Sequence, residues 1–273
     1  MKNIGLVLVQ PGPRAVHEPL MSGISHGLEE TFARAGMRLV TRVVRDSSAE
    51  LDVYRYWHAS GAVDAVVLVR VRHEDDRVTF LGQLKIPFTA IVDAVEVGDF
   101  SAVTVDSASM MRSTLSYLAS RGYSRVVYVK ATEDTVLSDI RARMFLTETE
   151  TSNLSGHVLS AELTAEGASE ATRLLVTESD DRPDAIIFDD DVTAVAGLST
   201  IQSLGLAVPG DVAVIAWNDS VLCQSATPSI TALSDQAHQI GTLAANCLID
   251  SVSTGALTIV GAADSFIVQR ASA

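Results

Sequence analysis

Short, mostly apolar runs alternate along this chain with stretches in which apolar residues return every three or four positions. The runs predict buried strands, at 4–9, 37–44, 65–69, 88–92, 101–105, 125–129, 157–159, 185–188, 212–217 and 265–269. The stretches between them predict amphipathic helices, as in the series Leu20, Ile24, Leu28 and Phe32. Gly36 and Gly122 follow two of these stretches and are expected to end helices.

Strands that alternate with helices in this way are typical of parallel sheets covered by helices on both faces. About ten strands are too many for one compact sheet in a chain of 273 residues, and the pattern restarts near residue 100. The sequence therefore predicts an α/β protein with two similar, doubly wound parallel-sheet subdomains.

Composition and charge limit the kinds of partner that such a protein is expected to bind. The formal net charge is −14, so we expect the phosphate backbone of DNA to repel these residues. The two cysteines, Cys223 and Cys247, match no metal spacing and favour a reducing compartment. No apolar run approaches the roughly 20 residues of a membrane span. These features predict a soluble, cytoplasmic protein with no membrane partner and no cofactor.

Polar side chains follow several of the predicted strands at the point where each strand ends. They are Asp93, Asp189, Asp190, Asp191, Asn218 and Asp219. Open parallel sheets bind ligands at the carboxyl ends of their strands, but Asp and Asn also cap helix N-termini. We expect Asp191, which precedes a predicted helix, to act as a cap, and Asp190 and Asn218 to bind ligand.

No constellation of catalytic residues stands out. The six histidines are scattered, and no phosphate-binding glycine motif or nucleophile elbow is present. The run Phe-Asp-Asp-Asp at 188–191 is compatible with a Mg²⁺ site, but no partner motif accompanies it. The segment at 70–77, Arg-Val-Arg-His-Glu-Asp-Asp-Arg, is predicted to be a solvated loop, with Arg70 a candidate to point into a cleft. We therefore expect no catalysis.

Several motifs together resemble the effector-binding core of LacI/GalR-type transcriptional repressors, which is itself similar to periplasmic sugar-binding proteins. The motifs are EPLMSGISHGLEE (18–30), SDIRARMF (138–145), VPGDVAVIAWNDS (208–220) and IVQRAS (267–272). Their order and spacing, over nearly the whole chain, carry the resemblance. Met144, Ala196 and Ala216 depart from it, because each stands where the family has glycine.

The resemblance implies a topology in which two subdomains share the chain discontinuously. It places residues 1–104 with 236–261 in one subdomain and residues 105–235 with 262–273 in the other. A periplasmic binding protein type I-like ligand cleft would lie between them. The family reads operator DNA with an N-terminal helix-turn-helix headpiece. Nothing like it occurs in these residues, so operator DNA would be bound only through a missing headpiece.

The resemblance also implies site residues by position. Arg141 matches an arginine that hydrogen-bonds a sugar, although an ion pair with a nearby acid is the alternative. Asp93 matches a carboxylate at the cleft edge, and Asp235 stands where many members have a glutamine. Phe145 and Trp217 are candidates to stack on an apolar sugar face, with a plain core role as the alternative.

Asn218 stands where the family usually has a sugar-gripping aspartate, and Asp190 stands where it often has an asparagine. We interpret this as an exchange of carboxylate and amide that keeps a similar count of donors and acceptors. Drift in a pocket with a different effector is the alternative.

The leading functional hypothesis is a homodimeric core of a transcriptional regulator that binds a small polar effector, expected to be a sugar or sugar derivative. A solute-binding receptor of a sugar transporter is the alternative from another class. A hydrolase on the same scaffold is a third.

Overall fold

The chain folds into two units, each built from two separate stretches of sequence. Unit 1 comprises Met1–Asp106 and Gln236–Ala263, and unit 2 comprises Ser107–Asp235 and Asp264–Ala273. The computed structural model describes residues 2–9, 19–71, 74–132, 136–152, 154–177, 182–234 and 236–273. The chain therefore passes between the units three times.

Unit 1 holds one six-stranded sheet. Its strands are β1 (Asn3–Val9), β2 (Arg38–Val44), β3 (Ala65–Val69), β4 (Phe88–Asp93), β5 (Ala102–Val105) and β11 (Ile259–Gly261), and its helices are α1 (Pro19–Arg34), α2 (Ser47–Ser60), α3 (Asp76–Leu84) and α9 (Ala237–Thr254). The strand order is β11-β5-β4-β3-β1-β2, and every neighbouring pair is parallel.

Unit 2 repeats this plan. Its strands are β6 (Arg125–Ala131), β7 (Ser155–Ala161), β8 (Ala185–Phe188), β9 (Ala213–Ala216), β10 (Thr231–Ser234) and β12 (Phe266–Val268), and its helices are α4 (Ser107–Ser120), α5 (Val136–Thr151), α6 (Ala165–Thr177), α7 (Asp191–Ser203) and α8 (Val221–Ser225). The strand order is β12-β10-β9-β8-β6-β7, and only β12 runs antiparallel to its neighbour.

Both faces of the unit 1 sheet are covered, as alternate residues of β3 show. Ala65, Val67 and Val69 lie in a core cluster with residues of α1 and α9. Val66 and Leu68 lie in a second cluster, with residues of α2 and α3. Because successive side chains of a strand point to opposite faces, a strand buried on both sides needs a continuous apolar run. The predicted fold class, α/β with two doubly wound parallel sheets, is confirmed.

The prediction of about ten strands was too low, since twelve occur in the described residues. The two that the pattern missed are β10 and β11, which have four and three residues. Runs this short carry little periodicity, and β11 leaves two of its three residues exposed. Within the described residues, no helix has both the length and the apolar composition that crossing a membrane requires.

The prediction of a solvated loop at 70–77 was wrong for its end, where Asp76 begins α3 and the side chains of Asp75 and Arg77 are only 6% and 16% exposed. Residues 72–73 lie outside the described residues. The Arg77 guanidinium donates to the Asp75 carboxylate at 2.7 Å and to the buried Glu50 carboxylate at 3.1 Å. Arg77 also donates to the Arg70 carbonyl at 3.0 Å. The charged residues at the end of this segment therefore form an ion-pair network. The sequence pattern did not show it, because the Glu50 that pairs with Arg77 lies 27 positions away.

Glycines allow α1 and α9 to pack with their backbones in contact. A Cβ built on Gly27 would lie 2.1 Å from the His238 carbonyl oxygen, and one on Gly241 would lie 2.1 Å from the Ile24 carbonyl oxygen. Neither neighbour is the flexible end of a side chain, so relief requires the two helices to move apart.

We expect Gly27→Ala to destabilise the protein by about 1–3 kcal/mol, since the added methyl group overpacks this contact. The matched control is Gly82→Ala on α3, where a Cβ meets nothing within 4 Å. Alanine favours a helix over glycine by up to about 1 kcal/mol, so the control should be neutral or stabilising. Urea unfolding of the three proteins measures both effects, and equal behaviour of the two variants would contradict the packing argument.

Candidate functional site

The polar edge of unit 2 lies where β8 and β9 end. Phe188 on β8 pairs with Ala216 on β9 in parallel register. Continuing that register by two residues sets Asp190 level with Asn218. Because the carboxyl ends of parallel strands share one edge of the sheet, the polar residues after the two strands are brought to neighbouring positions.

A buried ion pair stands at this edge. Arg141 on α5 donates from Nη1 to Oδ1 of Asp189, the first residue after β8, at 2.7 Å. The hydroxyl of Tyr128, on β6, donates to the same carboxylate oxygen at 2.5 Å. All three side chains are buried. One carboxylate therefore joins two strands and a helix.

The charges of this pair hold each other ionised. Burial disfavours an ionised Asp189, but the Arg141 charge and hydrogen bonds from Ser138, Tyr128 and Arg141 outweigh burial and lower the pKa of the carboxyl. Burial likewise opposes the charged guanidinium, yet Asp189 raises the pKa of Arg141 above its ordinary value. Burial is also the main cause that raises the pKa of Tyr128, which therefore stays a hydroxyl donor.

Aromatic rings support the cluster from within the core. The Arg141 guanidinium carbon lies 4.7 Å from the Trp217 ring centroid, a cation–π distance. Tyr128 packs against Trp217 and Phe145, with centroids 6.3 and 5.8 Å apart. Phe145 and Trp217 are 0% and 1% exposed. The structure thus places both in the core role that the sequence left as the alternative, and places Arg141 in the ion pair that was its alternative.

Asp190, and not Asp191, caps α7. Its carboxylate accepts from the Thr193 backbone N–H at 2.7 Å and from the Thr193 hydroxyl at 2.5 Å. The predicted cap at Asp191 was wrong because the helix begins one residue earlier than the sequence suggested. Burial, ahead of the charges of Asp191 and Asp189, raises the pKa of Asp190 despite the two bonds from Thr193.

Buried polar atoms without a hydrogen-bond partner remain beside these pairs. Among the described residues of unit 2 they are Arg141 Nε, Asp191 Oδ2, Asn218 Oδ1 and Asp219 Oδ1. Asn218 is 5% exposed. A buried polar group left unpaired costs about 1–3 kcal/mol, so such atoms at one sheet edge indicate a place where a ligand can complete the bonding.

The other predicted site residues are placed as follows. Asp93 is buried, and its carboxylate accepts from the Val95 N–H at 3.2 Å, capping a short 3₁₀ turn at Ala94–Glu96. Arg70 is exposed, follows β3 and has a left-handed backbone with φ of 55°. Asp235 lies outside the described residues. In the described residues, no group of three or more His, Cys, Asp or Glu side chains could hold a metal ion.

Sequence reasoning missed Asp189 and Tyr128 as members of the site. Asp189 stands in the noted run of three aspartates, but the pattern gave no reason to choose it over Asp190. Strand alternation is a signal that could have separated them. Asp189 and Asp190 lie one and two residues beyond Phe188, so their side chains are expected on opposite faces of the sheet. Tyr128 lies within the apolar run of β6, where a hydroxyl is hidden among hydrophobic residues.

The chain is similar to a described protein family and to known transcriptional regulators. The family described as "Periplasmic binding protein-like domain" matches residues 115–271, which is more than half of the chain. The HTH-type transcriptional regulator CelR of Thermobifida fusca is 24% identical over 255 residues, covering 92% of this chain and 74% of that protein.

Solved structures of two regulators share the fold of this chain over 99% of its length. A LacI family transcriptional regulator from Bifidobacterium animalis subsp. lactis superposes with a TM-score of 0.90 at 28% identity, covering 99% of this chain and 97% of that one. A complex of the transcriptional regulator CelR with cellobiose superposes with a TM-score of 0.87 at 21% identity, covering 99% and 84%. The second likeness concerns the fold alone.

We expect Asp189→Asn to destabilise the protein by about 3–5 kcal/mol at neutral pH, because it leaves the buried Arg141 charge unpaired. The folded pKa of Asp189 is lowered, so its stabilising effect is present above the ordinary carboxyl pKa. That effect is lost as pH falls through the lower folded pKa. Urea unfolding against pH should show the two proteins converging in acid.

Asp52→Asn is the control for this measurement. Asp52 pairs with Arg55 on the exposed surface of α2, where an ion pair contributes at most about 1 kcal/mol. A loss from Asp189→Asn no larger than the loss from Asp52→Asn would contradict the structural importance of the buried pair.

Proposed function

Because this chain belongs to the periplasmic binding protein-like domain family, we propose that the polar edge of unit 2 binds a small polyhydroxylated effector, a sugar or sugar derivative. The chain is the effector-binding core of a LacI-type transcriptional regulator. The proposal adds to this the chemistry of the ligand and the residues that hold it.

The observation that carries the proposal is Asn218. Its side chain is buried, and its Oδ1 has no partner among the described residues. It follows β9 by two residues, as Asp190 follows β8, so extending the register of Phe188 with Ala216 would set the two side chains level. An unbonded acceptor at the carboxyl end of a parallel strand is matched by a ligand hydroxyl. Arg141 adds a donor at the same edge, because its Nε is also buried and without a partner.

Asp190 is the second proposed ligand group. Its carboxylate already accepts two bonds from Thr193, but two carboxylate oxygens offer about four acceptor positions. A cap and a ligand contact are therefore compatible in one side chain. The relative CelR is described in complex with cellobiose, a compound of the proposed class, and that description supports the choice of carbohydrates as the first compounds to test.

We also propose that the protein is a homodimer whose effector changes the affinity of the regulator for operator DNA. Apolar side chains on or beside the edge strands β11 and β12 are exposed, including Leu257, Ile259 and Phe266. Burying such side chains against a second copy is favourable, and a two-fold symmetric protein matches a two-fold symmetric operator.

The two proposed ligand groups can be tested by exchanging them. A thermal-shift screen of neutral sugars, sugar alcohols and sugar acids comes first, and calorimetry with the ligand found follows. Asn218→Asp should weaken binding by about ten- to a hundredfold, because it sets two carboxylates side by side and leaves a buried charged acceptor unmatched. Combining Asp190→Asn with Asn218→Asp should recover much of the loss.

Asparagine keeps the cap of α7, since it is as good an N-cap as aspartate. The four proteins compared are the wild type, Asp190→Asn, Asn218→Asp and the double variant. Unfolding of Asp190→Asn should therefore stay close to the wild type, and unfolding of all four shows which binding losses come from a loss of folding. Losses that simply add in the double variant would show that Asp190 and Asn218 do not share one ligand.

The oligomeric state is checked by light scattering over a concentration series. We expect a mass twice that of the chain at micromolar protein. A monomeric mass throughout that range would contradict the proposed dimer without bearing on the ligand site.

A further inference from the structure

We infer that the ligand of the polar edge of unit 2 is electrically neutral or cationic, and that sugar acids and sugar phosphates are rejected by charge. This rests on the proposed function, because it specifies the class of effector that the same site accepts. Three features of the edge support it: its paired cations, its unpaired carboxylates and its open acceptor.

The cations that reach this edge are already neutralised by the protein. Arg141 is bound to Asp189. Its free Nε remains a hydrogen-bond donor for a ligand, but its positive charge is already balanced by an internal carboxylate. Lys130, at the end of β6, forms an ion pair with Asp139 in the first turn of α5. Arg270 pairs in the same way with Asp219, which follows β9, at 2.8 Å. Each of these three cations is thus paired with one aspartate.

Two further carboxylates are not cancelled. Asp190 and Asp191 follow Asp189 directly, both are largely buried, and within the described residues neither forms a salt bridge. The three internal pairs sum to zero, so Asp190 and Asp191 leave the edge with an excess of negative charge. In a site of low dielectric constant, a like charge brought close to two carboxylates is strongly disfavoured.

The open acceptor indicates, in hydrogen-bond terms, that this edge receives a ligand with a donor group. Asn218 Oδ1, in a side chain that is 5% exposed, has no partner among the described residues. It needs a donor, which a hydroxyl or an ammonium group supplies and a carboxylate or phosphate dianion does not. This atom points to a ligand independently of the charge. Uronic acids and sugar phosphates also carry hydroxyls, so it is the excess negative charge of the edge that separates the classes.

The protonation of Asp190 is consistent with this field. Burial is the first cause that raises the pKa of this carboxyl, and the charges of Asp191 and Asp189 raise it further against the two hydrogen bonds from Thr193. Burial and the neighbouring carboxylates disfavour the negative charge of Asp190, and they disfavour the negative charge of a ligand at this edge for the same reason.

The experiment uses sets of compounds that share one sugar ring and differ in the charge of one substituent. Each set contains the neutral sugar, its amino sugar, its uronic acid and its 6-phosphate, as in glucose, glucosamine, glucuronate and glucose 6-phosphate, with the galactose set and neutral disaccharides beside them. Calorimetry at fixed pH and low salt should show that the neutral or amino member binds. The acid and the phosphate should bind at least about tenfold more weakly.

Asp190→Asn then tests the source of the discrimination. It removes one carboxylate charge and keeps the N-cap, so the affinity of the acid relative to the neutral sugar should rise several-fold. The control is Asp211→Asn, which removes the same charge from an exposed residue of unit 2 that precedes β9, and so stands at the opposite end of the strand. The control should leave the ratio of affinities unchanged.

Each result decides something. An acid or phosphate that binds as tightly as its neutral sugar overturns this inference and leaves the proposed sugar site standing. Discrimination that Asp190→Asn and Asp211→Asn change equally, or not at all, also overturns it, since the charge of the edge is then not its cause. If no compound of any charge binds, the proposed function itself fails, and the inference with it.

Discussion

The buried pair of Arg141 and Asp189 constrains everything around it in unit 2. Two charges taken out of water are tolerated only when their hydrogen bonds are good, and the 2.7 Å contact with the added Tyr128 hydroxyl meets that condition. The three residues come from α5, β8 and β6. A change in the position of any of these elements would leave a charge unpaired, so the pair ties helix and strands to one arrangement.

That arrangement explains why an amide follows β9. Asp189 is committed to Arg141, and Asp190 is committed in part to the N-terminus of α7. A carboxylate at 218 would stand level with Asp190 and add another negative charge to an edge that already has an excess. Asparagine presents an acceptor of nearly the same shape without the charge. The exchange of carboxylate and amide stays a prediction, and the carboxylates already carried by the neighbouring strand are the physical reason we propose for it.

Periodicity predicted the sheets well because strands buried on both faces require apolar runs. It failed for β10 and β11, because four and three residues carry too little pattern. It failed for α3, because Arg77 forms an ion pair with Glu50, which is distant in the sequence. At the site, sequence placed Asp190 and Asn218 at strand ends but could not decide which of three aspartates faces Arg141. That choice depends on where β8 stops and α7 starts, which differed by one residue from the expectation.

The structure of unit 2 separates the residues that packing requires from the residues that are expected to set specificity for the effector. The strands of unit 2 are filled by side chains that pack between helices, and they superpose on regulators that share about a quarter of their residues. Just after β8 and β9, Trp217 packs in the core, whereas Asp190, Asp191 and Asn218 are polar residues outside the core cluster. Asp189 is held by the fold, because the core aromatic ring of Trp217 lies against the guanidinium that Asp189 neutralises. Specificity for the effector is therefore expected to vary at Asp190, Asp191 and Asn218 around a fixed Asp189.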